Sequence, residues 1–134
     1  MRPELRLRAL LVADHIYRDD GSGKYVIAGT FHQLNVPAFP TTFARTVGIF
    51  VSLSGLLGKT AMDLDFVEAA SGEVLLRTRA LAVSGEDAEQ PVEFALEVPP
   101  LPLPRAGRYV FRLMVDGTVL GEAAVSVRSP EGTG

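Results

Sequence analysis

The side chains with chemical reach in this sequence are few: His15 and His32, its only histidines, and the carboxylates Asp14, Asp19 and Asp20. Two convergent imidazoles could hold a metal, and an aspartate beside a histidine is the pairing that orients a general base. The run Asp19-Asp20-Gly21-Ser22-Gly23 has the residue types of a calcium loop. Whether any of these groups converge depends on the elements that carry them.

Leu5, Leu7, Ala9, Leu11 and Ala13 recur at every second residue and predict a first strand; Tyr25 to Leu34 predicts a second. With the loop tip at Gly21, Tyr17 falls opposite Tyr25, His15 opposite Ile27 and Leu11 opposite Phe31. His32 then lies on the other face from His15, about 17 Å away at ~3.3 Å per residue. The two histidines therefore share no site. Asp14 and His15 are neighbours in a strand and point to opposite faces; no nucleophile accompanies them, so Asp14 is expected to serve nearby backbone donors or an ion pair. Asp19 and Asp20 lack the carboxylate spacing and closing glutamate of an EF-type loop, and Asp and Gly are what tight turns require. A cation held by Asp19, Asp20 and a second loop stays open as an alternative. There is no cysteine, hence no disulfide, thiolate metal site or thiol nucleophile. No phosphate-cradling glycine loop occurs. No catalytic residue, cofactor or metal is expected.

The remaining chain keeps the same period. Phe43 to Leu53, Met62 to Phe66, Val74 to Val83 and Val92 to Val98 predict four more strands. Gly107–Val115 and Val119–Val127 flank Asp116-Gly117, the strongest short-range hairpin signal. Val36-Pro37-Ala38-Phe39-Pro40 and Pro99–Pro104 are read as extended connections, because proline lacks a ladder donor. About eight strands without a sustained helical period imply an all-β fold, an antiparallel β-sandwich, with a barrel as the alternative. The expected core is Val47, Ile49, Met62, Leu64, Phe66, Phe94, Leu96, Tyr109, Phe111 and Leu113. Phe50 is out of phase with Ile49 and Val51, as in a strand buried on both sides. The 134 residues form a single domain (1–134), with an ordered core over about 4–128 and a flexible tail over 129–134.

Net charge is −3 and the pI near 5.3, with the two signs interleaved, which excludes a nucleic-acid face. The apolar stretch Ala9–Ala13 is too short for a secretory h-region, and no run reaches the ~18 residues of a membrane helix. A cytoplasmic location without membrane contact is the expectation. The chain has no tryptophan to stack on a sugar.

Three local patterns carry a family likeness: Leu10-Leu11-Val12-Ala13-Asp14 entering a glycine-tipped hairpin, Ile27-Ala28-Gly29-Thr30-Phe31 followed by Phe39-Pro40, and Gly107-x-Tyr109-x-Phe111 with Asp116-Gly117 and Leu120-Gly121. Over roughly Leu5 to Val127 the chain resembles a family of small bacterial proteins known as a domain of unknown function. The resemblance implies an immunoglobulin-like sandwich and implies no activity. At Leu56-Leu57 the chain departs from it, with leucines where small or polar residues are expected.

The reading that remains is a non-enzymatic β-sandwich that binds a protein partner or itself, a homo-oligomer included. A small-ligand or carbohydrate-binding module is the alternative, and a small hydrolase the third class. The candidate interface is Leu56 and Leu57, expected in a solvent-facing turn between Gly55 and Gly58 and joined to a strand apolar on both faces.

Overall fold

Asp116 and Gly117 both adopt positive φ, 51° and 75°, the two-residue turn whose twist matches the strands it joins. The computed structural model describes residues 4–130, and eleven strands form among them: β1 (Arg6–Arg18), β2 (Tyr25–Thr30), β3 (Gln33–Asn35), β4 (Thr41–Phe43), β5 (Gly48–Ser54), β6 (Gly58–Glu68), β7 (Val74–Gly85), β8 (Val92–Glu97), β9 (Leu101–Leu103), β10 (Gly107–Val115) and β11 (Thr118–Arg128). They build one sheet in the order β2-β1-β5-β8, a second in the order β3-β11-β10-β6-β7, and a two-stranded ribbon β4-β9. All the pairings are antiparallel except β3 with β11. Neither sheet closes on itself, so the fold is a sandwich and not the alternative barrel.

The strand count exceeds the predicted eight for physical reasons. The single strand expected over Tyr25–Leu34 breaks after Thr30, where the chain leaves the first sheet; β3 then runs parallel to β11 in the second. The strand expected over Phe43–Leu53 breaks likewise into β4 and β5. The proline segment does pair, Pro102 standing opposite Thr42 in the outlying ribbon, where a missing donor is tolerated. Alternation reports which residues are dry, and it does not report which sheet they enter.

The first hairpin also differs by one residue. Arg18 faces Tyr25, Tyr17 faces Val26 and His15 faces Ala28, because the loop spans 19–24 and is closed by Asp19 N–H donating to the Lys24 carbonyl (2.8 Å). This arm does not run straight. Leu11 pairs with Phe50 and Arg18 with Tyr25, so an extended arm would hold the two rings roughly 23 Å apart. Their centroids are 5.4 Å apart, edge to face. The arm thus curls back over the outer face of the first sheet. The bend lies at Gly29, which has a φ of 74°, and Asp14 Oδ2 lies 2.5 Å from where a Cβ would stand; a side chain at this backbone conformation would be strained. Ile16 lands on Gly48, and Phe50, on the solvent side of β5, is only 7 % exposed. Its phase, anomalous in the sequence, follows from this cover.

Between the sheets, Val47, Ile49, Met62, Leu64, Phe66, Tyr109, Phe111 and Leu113 are buried in one cluster with Val12, Val51, Leu53, Leu101, Leu103 and Val125. Phe66 stacks on Tyr109 (5.2 Å) and tilts against Phe111 (4.9 Å). Phe94 and Leu96 pack against the cluster but stay half-buried, because β8 is an edge strand. The Tyr109 hydroxyl donates to the Arg105 carbonyl (2.6 Å), fixing the corner that leads into β10. A tyrosine bonded to backbone a few residues upstream at this strand entry is a hallmark of immunoglobulin-like sandwiches. The tail expected over 129–134 lies, from 131 on, outside the described residues.

Candidate interaction surface

The polar side chains singled out from the sequence do not assemble. His15 is exposed on β1 with its ring 5.6 Å from that of Tyr17. His32 is exposed in the sheet-switching link, where its carbonyl accepts the Ser126 N–H (2.9 Å). Asp14 sits at the Gly29 bend. Asp19 caps its own turn: Oδ2 accepts the Ser22 N–H (2.8 Å) and the Ser22 hydroxyl (2.7 Å), and these bonds hold its carboxyl below the usual range. Among the described residues no three His, Cys, Asp or Glu side chains are placed to hold a metal ion, and no helix is long and apolar enough to cross a membrane.

The buried carboxylates are committed to the fold. Asp65, outward-facing on β6 with its side chain 3 % exposed, receives both arms of the Arg77 guanidinium, Nε on Oδ1 (2.7 Å) and Nη2 on Oδ2 (2.8 Å). Arg77, Asp65, Arg112 and Glu122 stand opposite one another across β7, β6, β10 and β11. Arg112 Nε completes that rung on Glu122 Oε2 (3.0 Å). Glu68 accepts Arg105 Nε (2.5 Å) and Nη2 (3.1 Å) and the Ser71 hydroxyl (2.6 Å). The Arg105 guanidinium, and then Ser71, hold the Glu68 carboxyl below its ordinary range.

Leu56 and Leu57 part company. Leu56 turns back into the core at 2 % exposure, whereas Leu57 stands 54 % exposed. The expectation of two solvent-facing leucines is corrected: the turn folds one of them under the sandwich, with its backbone against Gly85.

What sequence reasoning missed is the flank where both sheets end. β8 closes the first sheet and β7 the second, each with one neighbour only. Between them runs an open groove of about 350 Å³, lined by Ala82, Val83 and Ser84 on one side and Val92, Glu93, Phe94, Ala95 and Leu96 on the other. The N–H of Val98 donates to the Val47 carbonyl (3.0 Å). Antiparallel bonds come at every second residue, and Gly48 faces Glu97 in this ladder, so Val92, Phe94 and Leu96 bond β5. Glu93, Ala95 and Glu97 therefore turn their N–H and C=O groups away from the sheet. The signal lay in Pro91 and Pro99-Pro100, which bracket the strand as prolines bracket edges. A second groove of about 500 Å³ lies by β4, lined by Asn35, Val36, Pro37, Thr41, Thr42, Phe43, Ala44 and Arg45.

Two packed sheets with a tyrosine corner define an immunoglobulin-like β-sandwich, presenting free edges on one flank. Residues 8–128 match a family described as a family of unknown function, DUF6941, and the chain belongs to it. The resemblance drawn from the Leu10–Asp14, Ile27–Phe31 and Gly107–Phe111 patterns is thereby established. Among solved structures, the chain is similar to the alkylpurine DNA glycosylase AlkC of Pseudomonas fluorescens, bound to DNA containing an abasic site analogue, at 16 % identity and a TM-score of 0.54. That match covers 94 % of this chain and 31 % of the glycosylase, so the chain spans about a third of that protein. It is also similar to an immunoglobulin-like protein from Pseudomonas aeruginosa, at 17 % identity and a TM-score of 0.49, over 95 % of this chain and 98 % of the other. A search of curated proteins finds no match. At such identities the structural likeness concerns the fold.

Proposed function

We propose that this protein is a non-enzymatic, cytoplasmic interaction module that engages a protein partner through the flank between β7 and β8. The observation that carries the reading is the outward-facing backbone of Glu93, Ala95 and Glu97 beside a groove, a ready template for another strand. The disposition of the buried carboxylates supports it: Asp65 and Glu68 are tied to arginines and serve the fold. The net charge of −3 argues against nucleic acid as the partner. The test is a photo-crosslinking residue at position 93 in the cells that make the protein, with position 22 at the hairpin tip as control. A discrete adduct from position 93, abolished by Ala95→Pro, is the expected result. Equal labelling from both positions would overturn the reading. A small polar ligand is the second reading, favoured by Asn35, Thr41, Thr42 and Arg45 converging beside Phe43 in the larger groove.

A further inference from the structure

We infer that the occupant of the β8 edge is an extended segment of a partner protein that alternates basic and apolar residues, and that it adds as a strand next to β8. This inference rests on the reading above and gives it a chemistry. Residues 86–97 contain Glu86, Asp87, Glu89, Glu93 and Glu97 and no basic residue, so β8 and the loop before it form a strip of negative charge, while β7 across the groove carries Arg79 and an Arg77 already paired with Asp65. Glu86, Asp87, Glu89, Glu93 and Glu97 are exposed, and among the described residues none of them forms a salt bridge. On β8 itself, Glu93 and Glu97 share one face with Ala95 between them, while Val92, Phe94 and Leu96 share the other and line the groove with Val83.

A strand laid antiparallel to β8 meets both faces at once. Its backbone pairs with the free groups of Glu93, Ala95 and Glu97. Its residues opposite Glu93 and Glu97 fall four positions apart on the solvent face, where cross-strand pairs attract when the charges are opposite and destabilise when they are alike. Its intervening residues point into the groove over Phe94 and Leu96, where apolar side chains remove half-buried surface from water. The motif that fits is basic–apolar–any–apolar–basic. The same geometry disfavours a second copy of this chain. Two β8 strands paired about Ala95 would set Glu93 against Glu97 of the other copy, twice, with like charges facing each other. The edge is thus built to refuse itself and to accept a basic strand.

The experiment uses the full chain and two acetylated eight-residue peptides, one alternating lysine with valine and one alternating glutamate with valine, titrated by amide shift mapping. The lysine peptide is expected to bind saturably, with the largest shifts at residues 93, 95 and 97, and to weaken as salt is raised. The glutamate peptide is expected not to bind. Glu93→Lys with Glu97→Lys should weaken the lysine peptide roughly tenfold, and Ala95→Pro at least about tenfold, since proline removes a donor the incoming strand needs. A proline at an outward-facing edge position leaves the β5 ladder intact, and an unchanged melting temperature checks that the variant is folded. If the lysine peptide fails to bind, or binds with shifts away from β8, the inference is overturned. An Ala95→Pro-sensitive adduct from position 93 would then still uphold the interaction module itself. If neither is seen, both fall.

Discussion

Glu68 is the residue on which pH should act. Its carboxyl is held low by Arg105 in the folded chain, so its stabilising effect is complete above the unfolded value of about 4.3 and is lost as pH falls through the folded one. The melting temperature of the wild type should therefore exceed that of Glu68→Gln at neutral pH, and the gap should close from about pH 5 downward. Parallel curves for the two proteins would deny the ion pair its role. The neighbouring Tyr109→Phe removes the hydroxyl bond to the Arg105 carbonyl and should cost about 1 kcal/mol in denaturant unfolding. At this scale the sequence told which groups would stay apart. His15 and His32 are separate, though not as strand periodicity had it, because His32 lies in the link to the second sheet and not on β2. It could not tell which carboxylates would be buried: Asp65 reads as the wet half of an alternation, and only the guanidinium of Arg77 from the next strand makes its burial tenable.

Among the elements, the turn holding Leu56 and Leu57 offers the sharpest contrast. Leu56→Ser should cost several kcal/mol, about 2–5, as expected for a truncated core leucine. Leu57→Ser should fall within about 0.5 kcal/mol of the wild type. Equal effects in thermal unfolding would mean that the two leucines are placed alike. Phe111→Ala, in the centre of the aromatic cluster with Phe66, should cost about 3–5 kcal/mol. The turn at Asp116-Gly117 was legible because a two-residue turn fixes the pairing beside it, whereas the one-residue shift between Leu113 and Met114 farther along the hairpin was not. The first hairpin was not. A longer loop can close in neighbouring ways, and the bond from Asp19 to Lys24, which selects among them, has no counterpart in hydrophobic periodicity. The curl of that arm was foreshadowed only by the misplaced phase of Phe50.

At the scale of the whole molecule, the fold class and most of the core could be read from the sequence. The allocation of strands to sheets could not. Phe94 and Leu96 alternate as cleanly as any residues in the chain, yet they are half-buried, because nothing in a strand's own sequence states whether a neighbour lies on its far side. For the same reason the flank now assigned to partner binding was invisible until the strand order was known. Of its proline brackets, Pro99-Pro100 reads as part of a connection, and Pro91 stands in no pattern of its own.

The parallel pairing of β3 with β11 has a kinetic consequence. It joins Gln33 to Ser126, about ninety residues apart, and the loop it closes spans most of the domain. The second sheet therefore cannot acquire that border until synthesis has passed β11, and until then the emerging chain carries β3 as an unmatched segment tethered to the first hairpin. Local hairpins such as β10–β11 can zip in microseconds, whereas completion must wait for the longest closure. Refolding from denaturant should then be in the millisecond-to-second range typical of all-β sandwiches, and stopped-flow fluorescence of the tyrosines is the measurement. A ribosome-bound chain halted just before β11 should remain open to proteolysis at the link between β2 and β3, and become protected once β11 is released.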